Sequence, residues 1–581
     1  RPAMIRYRSP REGSTRARAA EASGARPGAY AAMACGKEPG AGGRLLGRRP
    51  FKWVDIRSLW VSRNDRVAAS FHDPVEDLRR RWLAWSAHAS GGELADDALL
   101  VQVDGGDRAS CLIMGDTGEG DASQCAVVPQ LLAAAPGTAL LFICGDVVYP
   151  VGDVNDYRAK FYEPYAEYPG RIYAVPSNHD WYDQLEGFMF HLCGIEAPPE
   201  DFEPVRMPTA ARWLWRRPRK PKPPAHGARD GMRASGRPFQ PWPYFAIDLG
   251  PILVVGIETG IRGELDRRQG EWLRRVSAGV DKPKVLLSGK PIYVDGEYNP
   301  GSIAQYNWTV DDIVLEPGHR YVAAIGGDVH NYQRYPVHLP DGRTMLYLVS
   351  GGGGAFMHAT HRIPLVDLEG VSERGEDPDP ETGDGFRCFP LRGDSIAYYT
   401  RAVRSGVRQL IRDSALIGAA SLAAVVAFLV VLGVQWWTVE IGAILALPAL
   451  IAALWLLYLA RNGAFWLAFG RRARLSGEEG AVWIARKLGL EPTLPGATEI
   501  PPERARLADA NFPRFHNVRG LVHTFFSEVM DADQPPFFKH FLRLDAEPER
   551  LTIRCYAAIG SEAADDPLAL EDEIVIDLPQ A

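Results

Sequence analysis

The chain has 581 residues and a formal net charge of -7, from 65 Lys or Arg against 72 Asp or Glu. That length allows a sizeable core and more than one folded unit, and the acidic balance excludes a general nucleic-acid binder. The charge is uneven, since residues 1–50 carry 11 basic and 3 acidic residues, which leaves 54 against 69, or -15, for the rest.

In chain order, residues 1–50 are rich in Arg, Ala and Gly and show no apolar period and no signal-type hydrophobic stretch, so a disordered basic segment is expected there. Residues 51–98 form a lead-in with a helical pattern around Asp77, Leu78, Arg79 and Trp82. Residues 99–400 alternate strand and helix signals. Apolar runs at 99–103, 111–114, 140–144 and 172–175 predict a βαβαβ half with strand ends aligned, and a helix over 127–135 crosses between two of them. Cys111 and Cys144 lie inside these runs, where a free thiol acts as a small hydrophobe. Among the seven cysteines there is no CxxC pair, which suits a reducing compartment.

Residues 198–240 break the rhythm. Nine basic residues and two Trp lie between Arg212 and Arg237, interrupted by Pro218, Pro221, Pro223 and Pro224. The segment reads as an excursion from the fold, either a solvated loop or one that rests on an anionic bilayer. Strand patterns return at 244–248, 252–256, 285–287, 321–325 and 345–349, with a helix over 267–276, and the last strand runs into Gly351–Gly354. Four glycines in a row let the backbone pass close to an ion or substrate.

Between Ser414 and Ala460 only Glu440 is charged. The pattern predicts a transmembrane helical hairpin over 413–462, because each half is long enough to cross about 30 Å of hydrocarbon. Arg401, Arg404, Arg408 and Arg412 precede it, and Arg461, Arg471, Arg472 and Arg474 follow it. By the positive-inside rule the expected location is the cell membrane, multi-pass with two spans, the soluble domain and both termini being cytoplasmic. Residues 475–565 are expected to complete the soluble domain through paired strands at 536–544 and 551–556, and 566–581 is set apart as a tail.

The chemistry lies at strand ends. Four apolar runs stop at Asp116, Asp146, Asn178-His179-Asp180 and Asp328-Val329-His330. Oxygen and nitrogen donors gathered at one sheet edge suit a hard or borderline ion. A single Asp at such a place can merely cap a helix, but four aligned ends point to one centre.

The order GDTG (115–118), GDVVY (145–149), SNHD (177–180) and GDVH (327–330) resembles the calcineurin-like metallophosphoesterases, including their purple acid phosphatase branch. The resemblance implies an α/β fold, a sandwich of two mixed sheets flanked by helices and interrupted here by the transmembrane hairpin. It implies metal ligation by Asp116, Asp146, Asn178 and His330, with Asp146 shared between two ions, while Asp328 departs from the family's GHxH by standing at its first His and can still bind as a carboxylate. Tyr149 is either an iron-binding phenolate or a packed aromatic. His179 would assist the leaving group, with Asp180 orienting its ring. Mn, Fe or Zn are the implied ions, one with a full ligand set and a second that depends on position 289.

That position departs from the family, which has a His-x-Pro where this chain reads Gly289-Lys290-Pro291. Lys290 either reaches in as a fixed cation or is an ordinary solvated lysine, and His358 or His361 is the candidate to supply the missing imidazole. The function implied is a membrane-tethered, metal-dependent phosphoesterase that hydrolyses phosphomonoesters or phosphodiesters. The alternative is a catalytically weak or inactive membrane sensor or scaffold. A phosphate-ester substrate and the lipid bilayer are the expected partners, and no specific nucleic-acid partner is expected.

Overall fold

Runs of Val, Ile, Leu and aromatic residues bounded by Gly, Asp and Pro set up the strands. In the computed structural model, residues 5–8, 56–103, 106–234, 236–360, 363, 385–391, 393–395, 398, 537–559 and 567–578 are described. By contacts the chain divides into two units, Arg1–Arg392 with Asp531–Ala581, and Gly393–Met530. Every described strand belongs to the first of them.

The strands begin with β1 (Ile5–Arg8), β2 (Leu100–Gln102), β3 (Ala109–Met114), β4 (Leu140–Cys144), β5 (Arg171–Val175), β6 (Phe245–Asp248), β7 (Leu253–Ile257) and β8 (Lys284–Ser288). They continue with β9 (Tyr293–Val294), β10 (Glu297–Tyr298), β11 (Tyr321–Gly326), β12 (Tyr332–His338), β13 (Thr344–Ser350), β14 (Arg387–Phe389), β15 (Lys539–Glu547), β16 (Arg550–Ala558) and β17 (Ala569–Asp577). One sheet has the order β1-β17-β16-β15-β3-β4-β5, and the other β14-β12-β13-β11-β8-β7-β6-β2.

Both sheets are mixed. β3, β4 and β5 are parallel, and β4 is buried at every position, as a strand covered on both faces must be. β15 joins β3 in antiparallel register from Leu542↔Ile113 to Ala546↔Ala109, and its later residues alternate buried and half-buried. In the second sheet β7, β8, β11 and β13 run parallel. Ile5–Arg8, inside the segment read as disordered, pairs with β17, which lies in the range set apart as a tail.

The two sheets face each other across an apolar core. Phe142 of β4 stacks on Phe245 of β6 at 6.4 Å. One buried ion pair also joins them: Arg334 of β12 donates to both carboxylate oxygens of Asp572 on β17, at 2.8 and 3.0 Å. Tyr332 adds a third hydrogen bond to Asp572, at 2.7 Å.

The lead-in helix Val75–Ser90 turns Val75, Leu78 and Trp82 inward, and its Arg79 meets Glu258, just past β7, at 2.5 Å. The basic excursion is anchored rather than free. Arg216 is buried, donating to Asp183 at 2.5 Å and Asp153 at 2.7 Å, and its backbone N–H donates to Asn64 at 2.6 Å.

The described residues thus form the expected sandwich of two mixed sheets with flanking helices, but no transmembrane hairpin interrupts it. Among them no helix is long and apolar enough to cross a membrane. The helix Val75–Ser90, at 16 residues, rises about 24 Å, short of the ~30 Å of hydrocarbon, and it carries charge along its length. The stretch 413–462 lies outside the described residues. The expectations of a membrane tether, of the bilayer as a partner and of a multi-pass cell-membrane location are corrected accordingly.

Breaking the ion pair between the sheets takes from the buried Arg334 guanidinium the carboxylate that accepts two of its hydrogen bonds. Asp572→Ala is therefore expected to lower the unfolding free energy by roughly 3–5 kcal/mol, whereas Arg334→Met with Asp572→Leu is expected to cost less. Urea titration of both variants against the parent chain measures the difference.

Candidate active site

Three strands of the two sheets end in the same way. After β3, β4 and β11 a glycine is followed by an aspartate in the left-handed region: Asp116 at φ 58°, Asp146 at φ 50° and Asp328 at φ 68°. Asp tolerates this region better than most residues, but each still costs about 1–3 kcal/mol unless its surroundings enforce it. They do so here. Asp116 N–H donates to the Gly145 carbonyl at 3.1 Å and Gly327 N–H to the Ser288 carbonyl at 3.3 Å, so neighbouring strand ends lock one another.

Asp116 and Asp146 are almost fully buried, and the phenol of Tyr149 lies between them. Its hydroxyl is 2.9 Å from Asp116 Oδ1, 3.1 Å from Asp146 Oδ2 and 3.1 Å from His330 Nε2. His330 Nδ1 is 2.7 Å from the Phe356 carbonyl, an acceptor only, so Nδ1 carries the proton and Nε2 presents its lone pair. Burial, with His358 and Lys539 nearby, pushes the His330 imidazole well below its usual value, which keeps it neutral.

Three acceptors thus converge on one hydroxyl proton. Asp116 Oδ2 is in addition buried without a hydrogen-bond partner among the described residues. Burial, then the charges of Asp146 and Asp328, hold the Asp116 carboxyl well above the ordinary range, and burial raises Asp146 too. Tyr149 is also pushed up by burial and by Asp116, so the phenol stays protonated. Among the described residues no group of three or more His, Cys, Asp or Glu is arranged to hold a metal ion as it stands. Asp116, Asp146 and His330 instead all meet the Tyr149 hydroxyl. In kind, however, these oxygen and nitrogen ligands would fit one hard or borderline cation, since a cation, like a proton, relieves a surplus of acceptors.

A fourth strand end, after β5, turns into the short helix Asn178–Trp181 through a capping box between Ser177 and Asp180. Asp180 accepts from Ser177 N–H at 3.1 Å and Val147 N–H at 3.2 Å, so its carboxylate braces two loops. The partner of His179 Nδ1 is instead the Pro150 carbonyl at 2.8 Å, which corrects the expectation that Asp180 orients the ring. Asp146 Oδ1 accepts the His179 backbone N–H at 2.9 Å. Tyr149 and Tyr182 pack edge-on to the His179 ring, each at 4.7 Å. The Asn178 amide is held at both ends, accepting from Ser177 Oγ at 3.0 Å and donating to Tyr182 at 2.9 Å.

Beside them, β8 ends in Ser288-Gly289-Lys290. A Cβ built on Gly289 would lie 2.7 Å from the Pro176 carbonyl oxygen and 2.9 Å from Ser177 Cβ, so the glycine marks a close backbone approach. Lys290 Nζ reaches Asp328 Oδ1 at 2.9 Å. His358 does not approach this side. Its Nδ1 accepts the His330 N–H at 2.9 Å and its ring stacks on His330 at 4.3 Å. His361 lies outside the described residues.

The structure therefore gathers Asp116, Asp146, Tyr149 and His330 at one point. Asn178, His179, Lys290 and Asp328 border it, and Asp180 lies behind it as a brace. Sequence reading missed Pro150 and Phe356 as supports, since a carbonyl leaves no motif, and it named His358 as a substitute ligand rather than as the support of His330 that it is. The glycine run closes the site from behind: Gly353 N–H donates to the Gly115 carbonyl at 2.9 Å, and a Cβ on Gly352 would collide with the His540 ring. Both ring nitrogens of His540 are buried and unpartnered among the described residues, and burial drives its imidazole down to about 3.

This packing has two measurable consequences. Gly289→His is expected to destabilise the chain by about 1–3 kcal/mol through overpacking against Pro176, without supplying a ligand, as a lowered melting temperature would show. For His540, the unfolded chain binds a proton below about pH 6.5 and the folded one only near 3, so its contribution is lost as pH falls through that window. Relative to His540→Leu, the parent chain should lose about 1.4 kcal/mol per pH unit between about 6.5 and 4, measured by denaturant unfolding at each pH.

Against known proteins, residues 110–332 match the family described as calcineurin-like phosphoesterase. Among solved structures, a purple acid phosphatase, PPD1, from yellow lupin (Lupinus luteus) seeds is 13% identical, with 43% of this chain and 45% of that chain covered at a TM-score of 0.28. GAP50, the anchor in the inner membrane complex of Plasmodium, is 11% identical over 45% of this chain and 75% of that one, at 0.29. PhoD is 13% identical over 43% and 58%, at 0.25. The chain spans less than half of the lupin protein's length. No curated protein matches it. Residues 110–332, which contain each of the four strand-end motifs, are thus similar to the calcineurin-like phosphoesterases, whose fold is of hydrolase type.

Proposed function

We propose that the chain is a hydrolase of phosphoric esters, acting with one divalent ion held by Asp116, Asp146 and His330 beside Tyr149. The observation that carries this reading is the convergence of three acceptors on the single hydroxyl proton of Tyr149, beside the unpartnered Asp116 Oδ2. Such an ion, when bound, supplies Lewis acidity toward a phosphoryl oxygen.

The chain's own residues do the rest. With Nδ1–H pointed at Pro150, His179 keeps Nε2 as the atom that exchanges a proton with the leaving oxygen. Its backbone N–H, bonded to Asp146 Oδ1, keeps that ring in fixed relation to the central carboxylate. The His330 ring is set by Phe356 and His358, so Nε2 needs no rearrangement to present its lone pair. Asp180 acts from behind, by holding the Val147 and Ser177 loops in place.

The test separates ligand from acid–base group. Asp146→Asn is expected to lose bound ion and nearly all hydrolysis of p-nitrophenyl phosphate and bis-p-nitrophenyl phosphate. His179→Ala is expected to retain the ion and to lower kcat by roughly 10²–10⁴-fold. Unchanged turnover in Asp146→Asn, or no hydrolysis by the parent chain with Mn²⁺ or Zn²⁺ on either substrate, would overturn the reading.

A further inference from the structure

We propose that the Lys290 ammonium takes the place of a second cation, so that this site holds one divalent ion and not two. The inference rests on the proposed phosphoric-ester hydrolase and adds what decides its ion count. Lys290 Nζ lies 2.9 Å from Asp328 Oδ1, and the two side chains are 25% and 29% exposed, at the mouth of the site rather than in bulk water. A lysine ammonium is charged at neutral pH, so Lys290 brings a positive charge directly onto the Asp328 carboxylate.

Among the described residues, the other groups on this side are engaged with one another rather than with Asp328. Gly289 has no side chain, and the Pro176 carbonyl fills the space where one would begin. The Ser288 hydroxyl donates to the Lys290 carbonyl at 2.7 Å. Both ends of the Asn178 amide are engaged, by Ser177 and Tyr182. Asp328 is thus the carboxylate with a cation already in place, whereas Asp116 and Asp146 share one hydroxyl proton.

Charge balance leads to the same count. Asp116, Asp146 and Asp328 carry three negative charges when ionised. One divalent ion and one ammonium neutralise them. A second divalent ion beside Lys290 would leave the pocket at a net charge of about +2, with an ammonium and a metal competing for the same Asp328 oxygen, a like-charge contact that low dielectric makes costly. A lysine also holds its charge without the dissociation that a weakly held ion undergoes, and its three donors suit a phosphate oxygen as well as a carboxylate.

The experiment counts ions on the full chain, by elemental analysis after desalting from Mn²⁺ and by calorimetric titration. The parent chain and Lys290→Arg should each bind one Mn²⁺. Lys290→Ala frees Asp328 and should bind a second, weaker one, and Lys290→Ala with Asp328→Asn should return to one. Circular dichroism melting checks that each variant is folded, and the parent chain's own count needs no variant. Two equally tight ions in the parent chain, with hydrolysis present, would overturn this inference and leave the proposed hydrolase standing. A single ion in folded Lys290→Ala would do the same. No bound ion and no hydrolysis in the parent chain would overturn both.

Discussion

Burial of like charge is the constraint on which the rest depends. Asp116 and Asp146 are nearly inaccessible to water, with Asp328 close by, and each sits in a backbone conformation that an L residue enters at a cost. Nothing intrinsic to these residues favours the arrangement. It persists because parallel strands from two sheets deliver them, and because the loops beyond those strands are hydrogen-bonded across strand ends. The site is thus a product of sheet order, in which the ends of β3 and β4 meet those of β8 and β11.

That dependence explains where the chain places its other buried polar groups. Arg334 with Asp572, and Arg79 with Glu258, are each more than nine-tenths buried, and each ties an element from outside the central strands to the core. Glu258 also accepts from Trp181 at 3.1 Å and from the Gly260 N–H at 2.9 Å. Such pairs add little net stability over apolar packing but strongly penalise any alternative that separates them. They fix how the lead-in helix and the β15–β17 unit dock, and so fix the walls behind the carboxylates. The Arg216 cluster does the same for the basic excursion.

Within the site, proton and charge supply decide chemistry. Hydrogen-bond acceptors exceed donors around Tyr149, while at Asp328 the balance is closed by Lys290. The two halves are therefore not equivalent, although both are built from aspartates at similar strand ends. Gly289 is the hinge of that asymmetry: its missing side chain allows the β8 end to pack against Pro176 and Ser177, and the next residue, Lys290, is the one that reaches in.

Much of this was legible in the sequence. Apolar runs ending in Gly-Asp, Asn-His-Asp and Gly-Asp-Val-His marked the strands and their catalytic-looking ends, because strand termini are written in local composition. The glycine at 289 and the lysine beside it were visible as well. The sequence did not determine what Asp180 and His179 bond to, since a backbone carbonyl such as that of Pro150 carries no side-chain signature. Nor did it reveal that Ile5–Arg8 and Ala569–Asp577 pair with each other, because the cost of closing so long a loop grows only slowly with length and leaves no local mark. Hydropathy between 414 and 460 suggested a membrane hairpin, and no described helix provides one. Local pattern set which residues are strands and which carry charge. Only the tertiary structure, by bringing strand ends from two sheets together, decided that Tyr149 would be shared by three acceptors and that Asp328 would be matched by Lys290.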